Sequence, residues 1–214
     1  EFGPTYLAAG ITTARDVGND IEFGTALRDA ALHGRGLGAR LLLAGYIDGK
    51  NDYHSFDVQV ETTEEARAAV QGYKSAGYEQ IKIRDQVKLE TLKVICDEAH
   101  RLGMTVTGHV PATMNALQAV EAGMDGIAHI NFVLTGFYPD RDRNSPPLAI
   151  DFNAPNVKYA LKFFKEHNTV IDPTLATFEL MFRPIKKPIE SFEPGMSKVP
   201  PELLVQLNKK GESE

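Results

Sequence analysis

Residues 78–130 read YEQIKIRDQVKLETLKVICDEAHRLGMTVTGHVPATMNALQAVEAGMDGIAHI. Three short apolar runs, YEQIKI, TVTGHV and GIAHI, alternate with two segments of helical periodicity that end near Gly103 and Gly123. Strand, helix, strand, helix, strand in this rhythm predicts parallel strands joined by crossover helices. Pro111 suits the start of the second helix. Each run also carries one side chain able to meet a metal ion: Lys82, His109 and His129.

The same rhythm extends outward. ARLLLAGYI, residues 39–47, is a continuous apolar run and suits a strand buried on both faces. Ile11 to Val17 is rich in β-branched residues and predicts a strand after the break at Gly10. Between them, IEFGTALRDAALHG has helical spacing and ends at Gly34, Gly36 and Gly38. DGKNDYHSFDVQVET reads as a polar loop. TTEEARAAVQGYKSAG follows as a helix capped by Thr62 or Thr63, with Glu64 and Glu65 in its first turn. Downstream, NFVLTGFYPDRDRNSPPLAIDFNAP predicts a long loop, NVKYALKFFKEHN a helix and TVIDPTLAT a strand. Residues 178–214 form a Pro-rich tail with one short helix near Pro201 to Lys209.

About six β/α units in series make a single α/β domain over residues 1–214, closed either as an open doubly wound sheet or as a barrel. RDVGND lacks the G-x-G-x-x-G spacing that marks a dinucleotide fold. The chain is ordinary for a globular protein, with 43% hydrophobic and 24% charged residues, so it can bury a sizeable core. A formal net charge of −6 argues against nucleic-acid or anionic-membrane partners. No run approaches the roughly 20 apolar residues that cross a bilayer. Cys96 lies in a helical pattern and reads as a small buried residue. With no disulfide to judge from, and with Glu1 not a start residue, the compartment stays unknown.

In a barrel, residues at the C-terminal ends of strands gather into one site. Alternation turns Ile81 and Ile83 toward the helices and Lys82 into the interior, where an unpaired ammonium is costly. His109 and His129 are the ligand type for zinc and similar divalent ions. Asp16 is either a turn cap or a site residue. Asp172 precedes Pro173 and reads as structural. His33, His100 and His167 lie at helix ends. Tyr53 and His54, in the loop after a strand, are candidate substrate contacts. Phe132, Phe137, Tyr138 and Arg141 are candidates to cover the pocket.

GITTARDVG, IKIRD, GHV and EAGMDGIAHI resemble the amidohydrolase superfamily, in its imidazolonepropionase-like and Xaa-Pro-dipeptidase-like branch, from about Leu7 to Thr177. The resemblance implies a (β/α)8 TIM-barrel type of fold holding one or two divalent metals, usually zinc. Lys82 then matches the fourth-strand lysine, which is carboxylated in two-metal members. His109 matches the fifth-strand ligand and His129 the sixth. The family's first-strand H-x-H pair has no match, because no two of the six histidines are separated by one residue. Its eighth-strand Asp has none either, Asp172 falling one strand too early.

The implied fold is therefore an incomplete barrel of about strands two to seven, binding at most one metal. The implied function is metal-dependent hydrolysis of an amide or C–N bond in a dipeptide, an N-acyl amino acid or a cyclic amide. As a fragment without the missing ligands, the chain is expected to be weakly active or inactive. Two other readings remain: a non-catalytic binding or scaffold domain derived from an amidohydrolase, and a Schiff-base lyase using Lys82. The expected partner is a small-molecule or dipeptide substrate. Open barrel edges could pair with one another in a homo-oligomer.

Overall fold

All strand pairing is parallel in the computed structural model, which describes residues 2–52, 58–142 and 149–209. The long apolar run becomes β2 (Arg40–Gly49). It pairs along its first half with β1 (Thr13–Asp16) and, on the opposite edge, with β4 (Gln80–Ile83). β4 pairs in turn with β5 (Thr105–Gly108), so that Tyr46, Lys82 and Thr107 stand side by side. β6 (Gly126–Ala128) and β7 (Val170–Asp172) form a second ladder. Asp125 joins the two: its N–H donates to Val106 O at 2.8 Å, and its carboxylate accepts from Val106 N–H at 2.7 Å. Apart from β3 (Val58–Val60), which adds to the end of β2, strand order follows chain order, as in one arc of a (β/α)8 barrel.

Helices clothe one face of this arc. α2 (Ile21–Leu32) starts at Asp20, which accepts from Phe23 N–H. α3 (Thr63–Ser75) starts with a reciprocal capping box between Thr62 and Glu65. α4 (Leu89–Arg101) lies beside α3, and Glu98 sits buried between them, bonded to Arg101 and Gln71. Those donors hold the Glu98 carboxyl down at about 2, its Arg101 hydrogen bond acting most strongly. α7 (Pro155–Glu166) completes the layer. Ile47, Ile81, Ile83, Val106 and Ile127 point into it and meet Val70, Leu92, Ile95 and Val133, all buried. Gly45 lacks a side chain because a Cβ there would collide with the ring of Tyr73, whose hydroxyl donates to Tyr46 O at 3.0 Å.

Several elements differ from expectation. β3 lies inside the stretch expected as a polar loop; its V-Q-V alternation is only three residues long. The expected helix at Pro111 is instead a turn, and α5 (Ala116–Glu121) begins at Asn115, where a capping box with Gln118 forms. The long loop after His129 opens with α6 (Ile130–Phe137), nearly all buried. Phe137 therefore packs in the core and does not cover a pocket. Pro173 ends β7 at Asp172, and α8 (Leu175–Phe182) occupies residues expected as strand and runs into the tail. α1 (Phe2–Ala8) precedes β1, and the tail holds two 3-10 turns besides α9 (Pro201–Asn208). Buried Arg183 ties that tail together by donating to Lys187 O and, at 2.8 Å, to Leu207 O.

Candidate metal centre

Lys82 faces away from its isoleucine neighbours and is only 7% exposed. Its Nζ stands 4.4 Å from the ring centroid of Tyr46, its partner on β2, and 3.4 Å from His109 Nε2. The aromatic face offsets part of the cost of desolvating the ammonium.

His109 follows directly on β5. Gly108 before it has φ +137, and a Cβ there would collide with the Ile83 carbonyl. With no side chain in the way, His109 N–H donates to Ile83 O at 2.9 Å, drawing the end of β5 against the end of β4. His109 Nδ1 lies 3.0 Å from Asp85 Oδ1. A carboxylate accepts, so Nδ1 carries the proton and Nε2 keeps its lone pair toward Lys82. Asp85 is itself positioned by its carbonyl, which accepts from Ala112 N–H at 2.7 Å.

His129 sits one residue past β6, at the start of α6, with φ 71. It was expected within a strand; the reversal at this residue instead turns its ring toward His109. The two rings are 5.0 Å apart, edge to face, and Phe132 stacks on His109 at 4.8 Å. His129 N–H donates to Asp172 O at 2.7 Å, and its Nδ1 lies 2.7 Å from Thr174 Oγ1. Burial, with His109 and Lys82 close by, pushes the His129 pKa below its ordinary value, which favours the neutral, ligating form.

Lys82, His109 and His129, far apart in sequence, thus converge at the C-terminal end of the arc. A partly exposed polar chain links β1 to β7 and, through β4, to β5. Arg15 donates to Asp172 Oδ2 at 3.1 Å and to Gln80 Oε1 at 3.3 Å, and Gln80 donates to Thr105 Oγ1 at 2.8 Å. Asp16 turns back on its own loop, accepting from Gly18 N–H at 3.1 Å and from the Asn19 amide. His33 and His167 end helices, and His100, in the last turn of α4, meets Asp125 at 2.9 Å. Tyr53 and His54 lie outside the described residues.

Among the described residues, no group of three or more His, Cys, Asp and Glu side chains is arranged to hold a metal ion. The candidate set has two imidazoles, and its third member is a lysine, which ligates only after losing its charge. Two imidazoles beside a lysine are donor types that fit a divalent ion only as a partial set. Tyr46, Asp85 and Thr174 were not singled out from sequence. Asp85 was visible within IKIRD, but its contact with His109 depends on how two loops meet.

The sequence model of the Amidohydrolase family matches residues 3–188. No curated protein matches significantly. Among solved structures, the chain is similar to bottromycin amidohydrolase, with 18% identity and TM-score 0.63, covering 96% of this chain and 49% of that one. It is similar to an ochratoxinase of A. niger, with 19% identity and TM-score 0.60, covering 96% and 48%. A Xaa-Pro dipeptidase with methionine bound in its active site gives 22% identity and TM-score 0.57, covering 94% and 49%. The chain spans about half the length of these structures, and at such identities the likeness is one of fold.

Proposed function

Since the chain belongs to the amidohydrolase family, we propose that it serves metal-dependent hydrolysis of an amide or C–N bond, with Lys82, His109 and His129 holding one divalent ion, zinc by donor type. The observation that carries the reading is the convergence of these three side chains, with Lys82 Nζ 3.4 Å from His109 Nε2 and the imidazoles 5.0 Å apart. When bound, such an ion supplies Lewis acidity toward a carbonyl and an activated water.

The protein's own groups prepare for this. Asp85 keeps the His109 Nδ1 proton in place, leaving Nε2 as the donor atom. The Tyr46 ring faces the Lys82 ammonium, and a carboxylated Lys82, as the family resemblance implies, would replace that ammonium with an anionic ligand. Phe132 covers one face of His109 and restricts water on that side. Within residues 1–214 no H-x-H spacing occurs, and the reading assigns Lys82, His109 and His129 to one metal and names no acid–base group. A dipeptide is the first substrate class to try, because a Xaa-Pro dipeptidase shares the fold.

Zinc titration of the metal-free chain by calorimetry tests the reading. One weakly bound ion is expected, abolished in His109→Ala and His129→Ala, with little turnover of dipeptides. Tight uptake of two ions, or undiminished uptake by both variants, would overturn it.

A further inference from the structure

Thr174 occupies the position before α8 where a threonine ordinarily accepts a hydrogen bond from the first turn of its helix, yet its side chain makes no such cap. Its backbone is left-handed, φ 51 and ψ 41, which is rare for a β-branched residue. Strain of this kind persists only where the surroundings over-determine it.

The surroundings here all lead to His129. Thr174 Oγ1 lies 2.7 Å from His129 Nδ1 and 3.4 Å from Asp172 O. The 172–174 turn accepts from the backbone of the histidine's own loop: His129 N–H donates to Asp172 O at 2.7 Å and Ile130 N–H to Pro173 O at 3.2 Å. Asp172 Oδ1 accepts from Thr174 N–H at 3.2 Å, while its Oδ2 accepts from Arg15 at 3.1 Å. His129 is itself left-handed at φ 71. Two uncommon backbones on neighbouring loops therefore meet through one short side-chain contact.

We infer that Thr174 is the positioning residue for His129. Its hydroxyl oxygen accepts a hydrogen bond from Nδ1–H, so that Nε2 keeps its lone pair on a ring 5.0 Å from that of His109, and Asp172, paired with Arg15, holds Thr174 in that pose. The inference rests on the metal-site reading above and adds which ring nitrogen of His129 serves it and what keeps that nitrogen aimed.

The test compares wild type, Thr174→Gly, Thr174→Ser and His129→Ala. Glycine takes a positive φ without strain, so Thr174→Gly removes the hydroxyl while relieving the backbone. Its melting temperature is expected to hold or rise while its zinc Kd weakens about tenfold or more, the usual effect of losing a ligand's hydrogen-bond partner. Thr174→Ser keeps the hydroxyl and is expected to bind zinc as wild type does. A second readout needs no metal: long-range proton–nitrogen spectra of the metal-free wild type at pH 8 are expected to show His129 protonated on Nδ1, and that preference is lost in Thr174→Gly. Wild-type zinc affinity in Thr174→Gly, with His129→Ala impaired, overturns the positioning role alone. A wild-type His129 protonated on Nε2 does the same. Zinc affinity unchanged in His129→Ala overturns instead the metal-site reading on which the inference stands.

Discussion

Lys82 stands on β4 and His109 directly after β5, strands whose residues Ile81, Ile83 and Val106 are fully buried, while His129 and Thr174 stand beyond β6 and β7, and on β7 Val170 is 63% and Ile171 36% exposed. The first wall is set by packing. Isoleucines on one face of β4 lock its register against the helices, and that register aims Lys82 inward. The second wall has little packing at β7. Its side chains are held by hydrogen bonds, two left-handed backbones and an ion pair that reaches over from β1. A packed wall resists displacement and carries stability. A wall held by polar contacts contributes less stability and is sensitive to single atoms.

The largest expected effect separates the walls by stability. Ile83→Ala removes a fully buried side chain and is expected to cost about 2–5 kcal/mol in urea unfolding. Ile171→Ala, at the exposed strand, is expected to change stability by about 0.5 kcal/mol or less. Equal losses at the two positions would mean that β7 is covered in solution, and the contrast between the walls would fall.

Next comes a polar contact on the packed wall. Asp85→Ala removes the acceptor that orients His109 and is expected to weaken zinc binding by about tenfold with little change in melting temperature. Undiminished binding would mean that packing alone, through Phe132 and the Ile83 carbonyl, aims His109.

A smaller effect should follow pH. Burial lowers the His129 pKa from its ordinary 6.5, so the folded protein binds this proton less readily than the unfolded chain. The resulting stability is fully present above about pH 6.5 and is lost as pH falls through the lowered folded value. Melting temperatures between pH 8 and pH 5 are expected to fall less steeply in His129→Gln than in wild type. The same slope in both would place the acid sensitivity elsewhere.

The two walls also differed in how far they could be read in advance. β2, β4 and β5 were visible as apolar runs, because a strand buried by packing must be apolar, and the alternation Ile81, Lys82, Ile83 showed which side chain turns inward. The three metal-competent side chains were visible for the same reason, each being the polar exception in such a run. The second wall was legible as two strands, GIAHI and TVIDPTLAT, but not in where those strands end. Its strands are three residues long, Thr174 looked like part of a strand, and α6 was masked by the proline-rich stretch that follows it. Contacts such as Thr174 with His129 and Asp85 with His109 join residues 45 and 24 positions apart, and no local pattern announces them.

The smallest expected effect probes how far the second wall depends on β1. Arg15 and Asp172 form a partly exposed ion pair, with side chains 33% and 49% accessible, of a kind worth about 0–1 kcal/mol. Arg15→Gln removes the charge but leaves an amide able to reach Gln80 or Asp172. Stability is therefore expected to drop by under about 1 kcal/mol, and zinc affinity by about twofold. Because salt screens an exposed pair, wild type in 1 M salt should approach the variant, and the difference between them should shrink. If Arg15→Gln instead weakens zinc as much as Thr174→Gly does, the turn at 172–174 cannot hold itself. The aim of His129 would then be set from the far strand of the arc, through a contact 157 residues away in sequence.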